Sequence, residues 1–367
     1  MEYVQEQITT LHGFSTDVPA VRTDTTAVIV PMAAREFRSA AATHVLTELS
    51  AVDPERVIVP LRAPADEVDS FEAWFDEFDL SIEMLWCSGP AIAELLSEHG
   101  LHGERGKGRD VWLALGTALE SEYIVLHDAD TITYDRTYVP RLLFPLMNGH
   151  TFSKGYYARI EDNQFYGRLF RLFYEPTIRA LSDRHTGSIL EYLDSFRYAL
   201  AGEFAGASDL MRRLRIPRSW GLEVGTLGDA FSLAGFSQTA QVDLGAYEHD
   251  HRPVAGETGL SDMSTAVGTA LFLSVEEHGI TPEYDALREE YRKCATALVR
   301  QYGLDAAYNG FTYDQEAETA QVAQYASAIT QPTIDTRLPA WANAPIKPKA
   351  VTAAAEADRK KAIVAEQ

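Results

Sequence analysis

Four short apolar runs, at 26–31, 56–61, 82–87 and 123–126, alternate with stretches of helical spacing through the first 130 residues, and this alternation constrains the fold most. The runs are rich in β-branched and aromatic residues, as buried strands are. Between them, 35–50 carries Phe37, Ala41, Val45 and Leu46 at helical intervals, and Phe71, Trp74, Phe75 and Phe78 mark a second helix. Ser88-Gly89-Pro90 opens a third helix, with proline at its first position. A glycine-rich loop at 103–108 leads into a fourth that runs to residue 120. Strands alternating with helices at this spacing predict βαβ units and an α/β fold with a mostly parallel, Rossmann-like sheet. Such sheets bind ligands in the crevice outside the carboxyl ends of their strands.

The fourth run, Tyr123-Ile124-Val125-Leu126, ends at His127-Asp128-Ala129-Asp130. Two carboxylates one residue apart at a strand's carboxyl end suit a divalent cation, Mg²⁺ or Mn²⁺, that carries a substrate phosphate. In a chain with 54 acids such a pair also arises on solvated surface. Aspartates spaced in this way occur only here, directly after an apolar strand, and that placement favours the functional reading.

The net charge of −22 excludes a general basic nucleic-acid surface and opposes anionic membranes. No apolar run approaches the ~20 residues that span a bilayer, and the first residues lack a leader's basic and apolar regions, so a soluble, cytoplasmic protein is expected. Cys87 and Cys294 lie far apart without metal spacing and are expected as buried free thiols. Of seven lysines, four (Lys347, Lys349, Lys360 and Lys361) fall near the C-terminus, which singles out Lys107 and Lys154 in the body.

Residues 1–24 read as a polar arm, 25–260 as the principal domain and 261–330 as a helical extension. Within them, strand-like 151–160 and 239–247 frame a helix-like 165–181, a further element at 197–204 and a polar-sided helix at 209–214. Helical spacing returns at 264–278, 283–302 and 313–329. From 331 to 367 the chain is rich in proline and alanine with no apolar period, and disorder is expected.

Several residues could carry chemistry. In Gly103-Glu104-Arg105-Gly106-Lys107-Gly108 the glycines allow the backbone to approach a ligand, the following helix presents N–H groups to an anion, and Lys107 adds a charge. It lacks the spacing of a phosphate-binding P-loop. Downstream, 241–251 ends in Glu248-His249-Asp250-His251, where one neutral imidazole could join the aspartates on a metal. Glu203 and Glu223 are single acids in small, apolar surroundings that suit a grip on sugar hydroxyls. Arg168 and Arg171 offer forked guanidinium groups to an anionic acceptor, or to salt bridges in an acidic protein.

Together, Val30-Pro31 with Glu36, Gly106-Lys107-Gly108, Asp128-Ala129-Asp130, Lys154-Gly155-Tyr156-Tyr157, Gly167-Arg168, Ala201-Gly202-Glu203, Trp220-Gly221-Leu222-Glu223-Val224-Gly225 and Gln241–Gly245 leading to His249 resemble the GT-A glycosyltransferases, and within them the glucosyl-3-phosphoglycerate synthase family, over about residues 25–330. The resemblance implies a GT-A catalytic domain with a C-terminal helical appendage. It implies a retaining transfer of glucose from a nucleotide sugar, typically UDP-glucose, to the 2-hydroxyl of 3-phosphoglycerate. On that basis Pro31 and Glu36 border the base, Lys107 binds the nucleotide, Asp128 and Ala129 line the ribose side, and Asp130 with His249 holds the metal. Glu203 joins the nucleotide-sugar contacts, Glu223 holds the sugar or the acceptor near the reacting centre, Glu223, Asp130 and Lys107 are the catalytic set, and Lys154, Gly167 and Arg168 serve the acceptor. A homodimer is implied as well. The sequence departs from its relatives at Pro31–Glu36, where many carry Asn-Glu-Glu, so Arg35 and Glu36 both stand as base contacts, and at Phe170, where a small hydroxyl residue is usual. Glu223 stands where mannosylglycerate synthases carry aspartate. The alternatives are transfer to D-glycerate or to a lipid phosphate, nucleotidyl transfer, and a regulator that binds nucleotide sugars without turnover.

Overall fold

The structure, a computed structural model of the chain, describes residues 4–250 and 257–365. Its strands are β1 (Thr9–Leu11), β2 (Thr26–Ile29), β3 (Met32–Ala33), β4 (Arg56–Arg62), β5 (Ile82–Trp86), β6 (Tyr123–Leu126), β7 (Phe152–Ala158), β8 (Ile160–Glu161), β9 (Gln164–Phe165), β10 (Phe204–Ala207) and β11 (Thr239–Ala246). Its helices are α1 (Ala40–Val52), α2 (Val68–Phe75), α3 (Pro90–Glu98), α4 (Lys107–Ala118), α5 (Tyr138–Met147), α6 (Glu175–Ser182), α7 (Ser188–Asp194), α8 (Ser208–Met211), α9 (Leu222–Leu233), α10 (Glu257–Glu277), α11 (Tyr284–Asn309), α12 (Gln315–Tyr325) and α13 (Pro348–Ala365). No helix of the described residues is long and apolar enough to cross a membrane.

The four apolar runs become β2, β4, β5 and β6, which pair in parallel in the order β6-β2-β4-β5. Every residue of β2 is buried, with α4 packed on β2 and β4; α5 packs further along the sheet, on β6, β7, β10 and β11. Beyond β6 the sheet continues through β10, β7, β11 and β1. β10 runs antiparallel to both its neighbours, the other pairs of this sheet being parallel. One register row crosses the sheet through Ile58, Ile29, Leu126, Phe204, Lys154 and Gln241. The residues just outside it on this edge, Val30, His127 and Glu203, begin the loops that carry the candidate chemistry.

The N-terminal arm contributes β1, a parallel strand beside β11. Two expectations need correction. Cys87 is buried, but Cys294 is only partly so. The stretch from 331 is ordered rather than disordered. Leu338 pairs with Ile216, Trp341 stacks on Trp112 at 4.3 Å, and each indole N–H donates to a carbonyl, Trp112 Nε1 to Pro339 and Trp341 Nε1 to Trp112, both at 2.7 Å. α13 then packs against α2, α3, α4 and β5. Its buried stripe is Val351, Ala355 and Asp358, a helical spacing built from small side chains that hydrophobicity alone does not register. The Asp358 carboxylate accepts hydrogen bonds from Ala91 N at 2.8 Å and Ile92 N at 3.1 Å, capping the start of α3 from outside.

The C-terminal helices pack in pairs, α10 on α9, α11 on α6 and α12 on α11. The expected helix at 165–181 is α6 preceded by a π-helical turn, Phe170–Tyr174, against which α12 rests.

Candidate active site

Lys107 is the first residue of α4, Asp128 lies two residues past β6, and Glu223 sits in the first turn of α9. The Lys107 ammonium bonds Asp128 Oδ1 at 2.5 Å and Glu223 Oε1 at 3.0 Å. What draws α4 to α9 is the segment 217–219, whose Arg218 carbonyl accepts from Arg109 N at 2.8 Å. A Cβ on Gly108 would stand 1.7 Å from the Pro217 oxygen, so the close approach that requires this glycine is to the protein's own backbone rather than to a ligand. Burial disfavours the charge on Lys107, but the two acids outweigh it and raise its pKa. Burial likewise pushes the Asp128 carboxyl up, and Lys107 more than reverses this and holds it below the ordinary range.

Among the described residues Asp130 has no such ion pair. Burial and the neighbouring Asp128 charge push its carboxyl up to about 6. Ala129 between them is buried. His249 is brought alongside by main-chain pairing: Thr131 bridges His249, Asp250 N donates to Asp130 O at 2.8 Å, and Ile132 N donates to Glu248 O at 2.8 Å. His251, the other imidazole considered, lies outside the described residues. Arg159 Nη2 donates to His249 Nδ1 at 2.5 Å. A half-buried carboxylate with no ion pair among the described residues, next to an imidazole, is the donor chemistry of a Mg²⁺ or Mn²⁺ site, and these residues fit the ion once Arg159 releases the His249 nitrogen it now occupies. They are not drawn into a tight cluster; among the described residues the one group of three ligand-type side chains within 4.8 Å of one another is Asp183, Glu290 and Cys294.

Glu203 is fully buried, and among the described residues neither carboxylate oxygen meets the geometry of a hydrogen bond. Burial first and Asp128 second push it up to about 8, against the pull of Lys107, so it is mostly a neutral acid at pH 7. Its neighbour Gly202 has no room for a side chain, since a Cβ there would lie 2.4 Å from Asp128 Oδ2. Lys154, expected among the acceptor contacts, is also fully buried, and its ammonium donates to Ala201 O at 2.8 Å. It therefore braces the 201–203 segment from beneath and presents nothing to solvent. Burial lowers its pKa to about 8.

Pro31 lies between β2 and β3. Glu36 turns back on its own 3₁₀ turn, accepting from Ala33 N at 2.6 Å and from Arg35 Nε at 2.5 Å. Arg35 is the more exposed of the two and lies close enough to feel the charges of Asp130 and Asp128. Gly167 adopts a φ of +73° ahead of Arg168. Arg168 Nε donates to Glu318 Oε1 at 3.0 Å, and the same carboxylate receives Arg171 Nη1 at 2.9 Å and Nη2 at 3.1 Å. Phe170 is turned into an aromatic cluster, 5.6 Å from the Tyr174 ring and 4.8 Å from that of Tyr198. Sequence reasoning missed Arg159 and Glu318, since both meet the site only through contacts 90 and 150 residues away. It quoted Trp220 without assigning it to the site, yet the side chain stands 47% exposed three residues before Glu223.

The sheet, with its acidic rim at the carboxyl edge, has the GT-A fold. Solved structures of glucosyl-3-phosphoglycerate synthase from Mycobacterium tuberculosis share the fold. The complex with Mn²⁺, UDP and phosphoglyceric acid superposes at a TM-score of 0.56 with 22% identity, over 75% of this chain and 88% of that one. The Mg²⁺ and UDP complex gives 0.56 at 24% identity over the same shares. In sequence, the chain is 34% identical to the glucosyl-3-phosphoglycerate synthase of Methanococcoides burtonii over 94% of each protein. It is 34% identical to that of Persephonella marina over 82% of this chain and 79% of the relative. The chain belongs to the glucosyl-3-phosphoglycerate synthase family. No family model matches it.

Proposed function

We propose that the protein transfers glucose from UDP-glucose to the 2-hydroxyl of 3-phosphoglycerate with retention of configuration, releasing UDP. The observation that carries this reading is the Lys107 ammonium shared between Asp128 and Glu223, which joins the nucleotide side of the rim to the side where sugar and acceptor meet. In that role Pro31, Arg35 and Glu36 border the base and Asp128 the ribose, while Lys107 neutralises the donor's diphosphate. Asp130 and His249 hold the Mg²⁺ or Mn²⁺, which when bound offsets charge on the leaving diphosphate. Glu223 and Glu203 grip the sugar, and Arg168 takes the acceptor's phosphate or carboxylate. The acceptor oxygen attacks the anomeric carbon from the face the diphosphate leaves, and its proton passes to the departing diphosphate oxygen. No side chain forms a covalent intermediate. The setting is the cytoplasm, and the assembly a homodimer, which light scattering at the mass of one chain would overturn.

The test is to incubate the protein with Mg²⁺ and a panel of UDP- and GDP-sugars, with 3-phosphoglycerate or D-glycerate. UDP release is measured together with product configuration by NMR. Release that needs both UDP-glucose and 3-phosphoglycerate, with an α-linked product, is the expected outcome. Release with D-glycerate alone moves the assignment to that acceptor, and donor binding without release reduces the protein to a nucleotide-sugar-binding regulator.

A further inference from the structure

Resting on the acceptor role of Arg168 above, we infer that Glu318, on the helical extension, is the positioning residue that aims Arg168 at the acceptor's anionic group. Two arginines compete for that role, and their surroundings separate them. Arg171 is spent: its side chain is 7% exposed, its Nε donates to Tyr166 O at 3.0 Å and its Nη2 to Phe165 O at 3.3 Å, and the guanidinium lies 4.7 Å from the Tyr302 ring centre. Arg168 is 44% exposed and, among the described residues, uses only Nε. Among the described residues its two terminal nitrogens meet no acceptor, which leaves the forked end of the guanidinium for a phosphate or carboxylate.

Glu318 is 3% exposed. It accepts from both arginines and, at 3.4 Å, from the Tyr313 hydroxyl. One carboxylate against two guanidiniums leaves a single positive charge, which an acceptor anion completes. Holding Arg168 by Nε also limits the rotamers of a long side chain before the ligand arrives, so less freedom is lost on binding. α12 thus takes part in acceptor recognition without touching the acceptor.

The experiment compares Glu318→Gln, Arg168→Ala and the double variant, with acceptor KM, donor KM, kcat and UDP affinity measured for each. Glu318→Gln should raise the acceptor KM on the order of tenfold, the scale of a lost charged hydrogen bond, with donor KM within about twofold. In the Arg168→Ala background it should add nothing further. Glu318→Asp, which restores the charge, should recover part of the loss. An unchanged acceptor KM in Glu318→Gln overturns the inference, as does an equal effect on donor KM or an equal rise in the Arg168→Ala background. If Arg168→Ala itself leaves the acceptor KM unchanged, the acceptor role proposed for Arg168 fails first. Should Glu318→Gln not fold with Arg171 left unpaired, Arg171→Met/Glu318→Gln removes that stranded charge and is assayed in its place.

Discussion

Asp130 and Glu203 are acids that burial pushes the same way, and among the described residues neither has an ion pair, yet they lead to different experiments. Asp130 borders a main-chain bridge to His249, where a divalent ion would supply the missing charge. Asp130→Ala should abolish metal-dependent binding of UDP-glucose, measured calorimetrically with and without Mg²⁺; undiminished metal stimulation would remove it from the metal site. Glu203 keeps its proton instead. Its ordinary pKa of 4.5 rises to about 8 in the fold, under burial and Asp128 and against Lys107. From pH 4.5 to 8 the folded chain therefore holds a proton that the unfolded chain has released, and this contribution to stability, complete below 4.5, is lost as pH climbs to 8. Glu203→Gln has no proton to lose. Its Tm relative to the parent should rise steadily across that window, and parallel Tm curves would show that Glu203 is charged in the fold. Lys154, lowered to about 8, acts above this range and with the opposite sign.

At the scale of elements, the part of the site nearest to legible was the part made by single elements: Lys107 before a helix and the aspartates after a strand both follow from local apolar pattern. What brings them to Glu223 is the seating of 217–219 on the start of α4, a contact across more than 100 residues that no periodicity announces. Lys154 is enclosed for a related reason. A lysine in a strand reads as a surface charge or a ligand contact, and only the sheet order, with β10 inserted between β6 and β7, encloses it. α13 was missed because its stripe of Val351, Ala355 and Asp358 is too small to raise hydrophobicity. Asp358 is the most exposed of these conclusions to experiment. Asp358→Ala strips the cap from α3 and should lower unfolding free energy by about 1–3 kcal/mol, read from urea denaturation. An unchanged midpoint and slope would mean that α13 rests on α3 by packing alone.

Over the whole molecule, 54 acids stand against 32 lysines and arginines. Exposed ion pairs such as Arg22–Asp24 are worth little and weaken with salt, whereas unbalanced acids repel one another throughout the surface. The repulsion is the larger effect here, so raising salt from low ionic strength to about 0.15 M, where screening acts beyond ~8 Å, should increase Tm. A Tm that falls over the same range would mean that the ion pairs outweigh it.

The cap on α3 has a consequence for the order in which the chain can mature. Residues 90–98 leave the ribosome some 260 residues before Asp358, and Trp112 precedes its stacking partner Trp341 by 229. Until Trp341 and Asp358 are made, the nascent donor-binding half lacks the partner of the Trp112 indole and the acceptor for two N–H groups at the start of α3. Completion of that half therefore waits for the segment that carries Trp341 and Asp358, and a chain cut before Asp358 lacks the cap on α3.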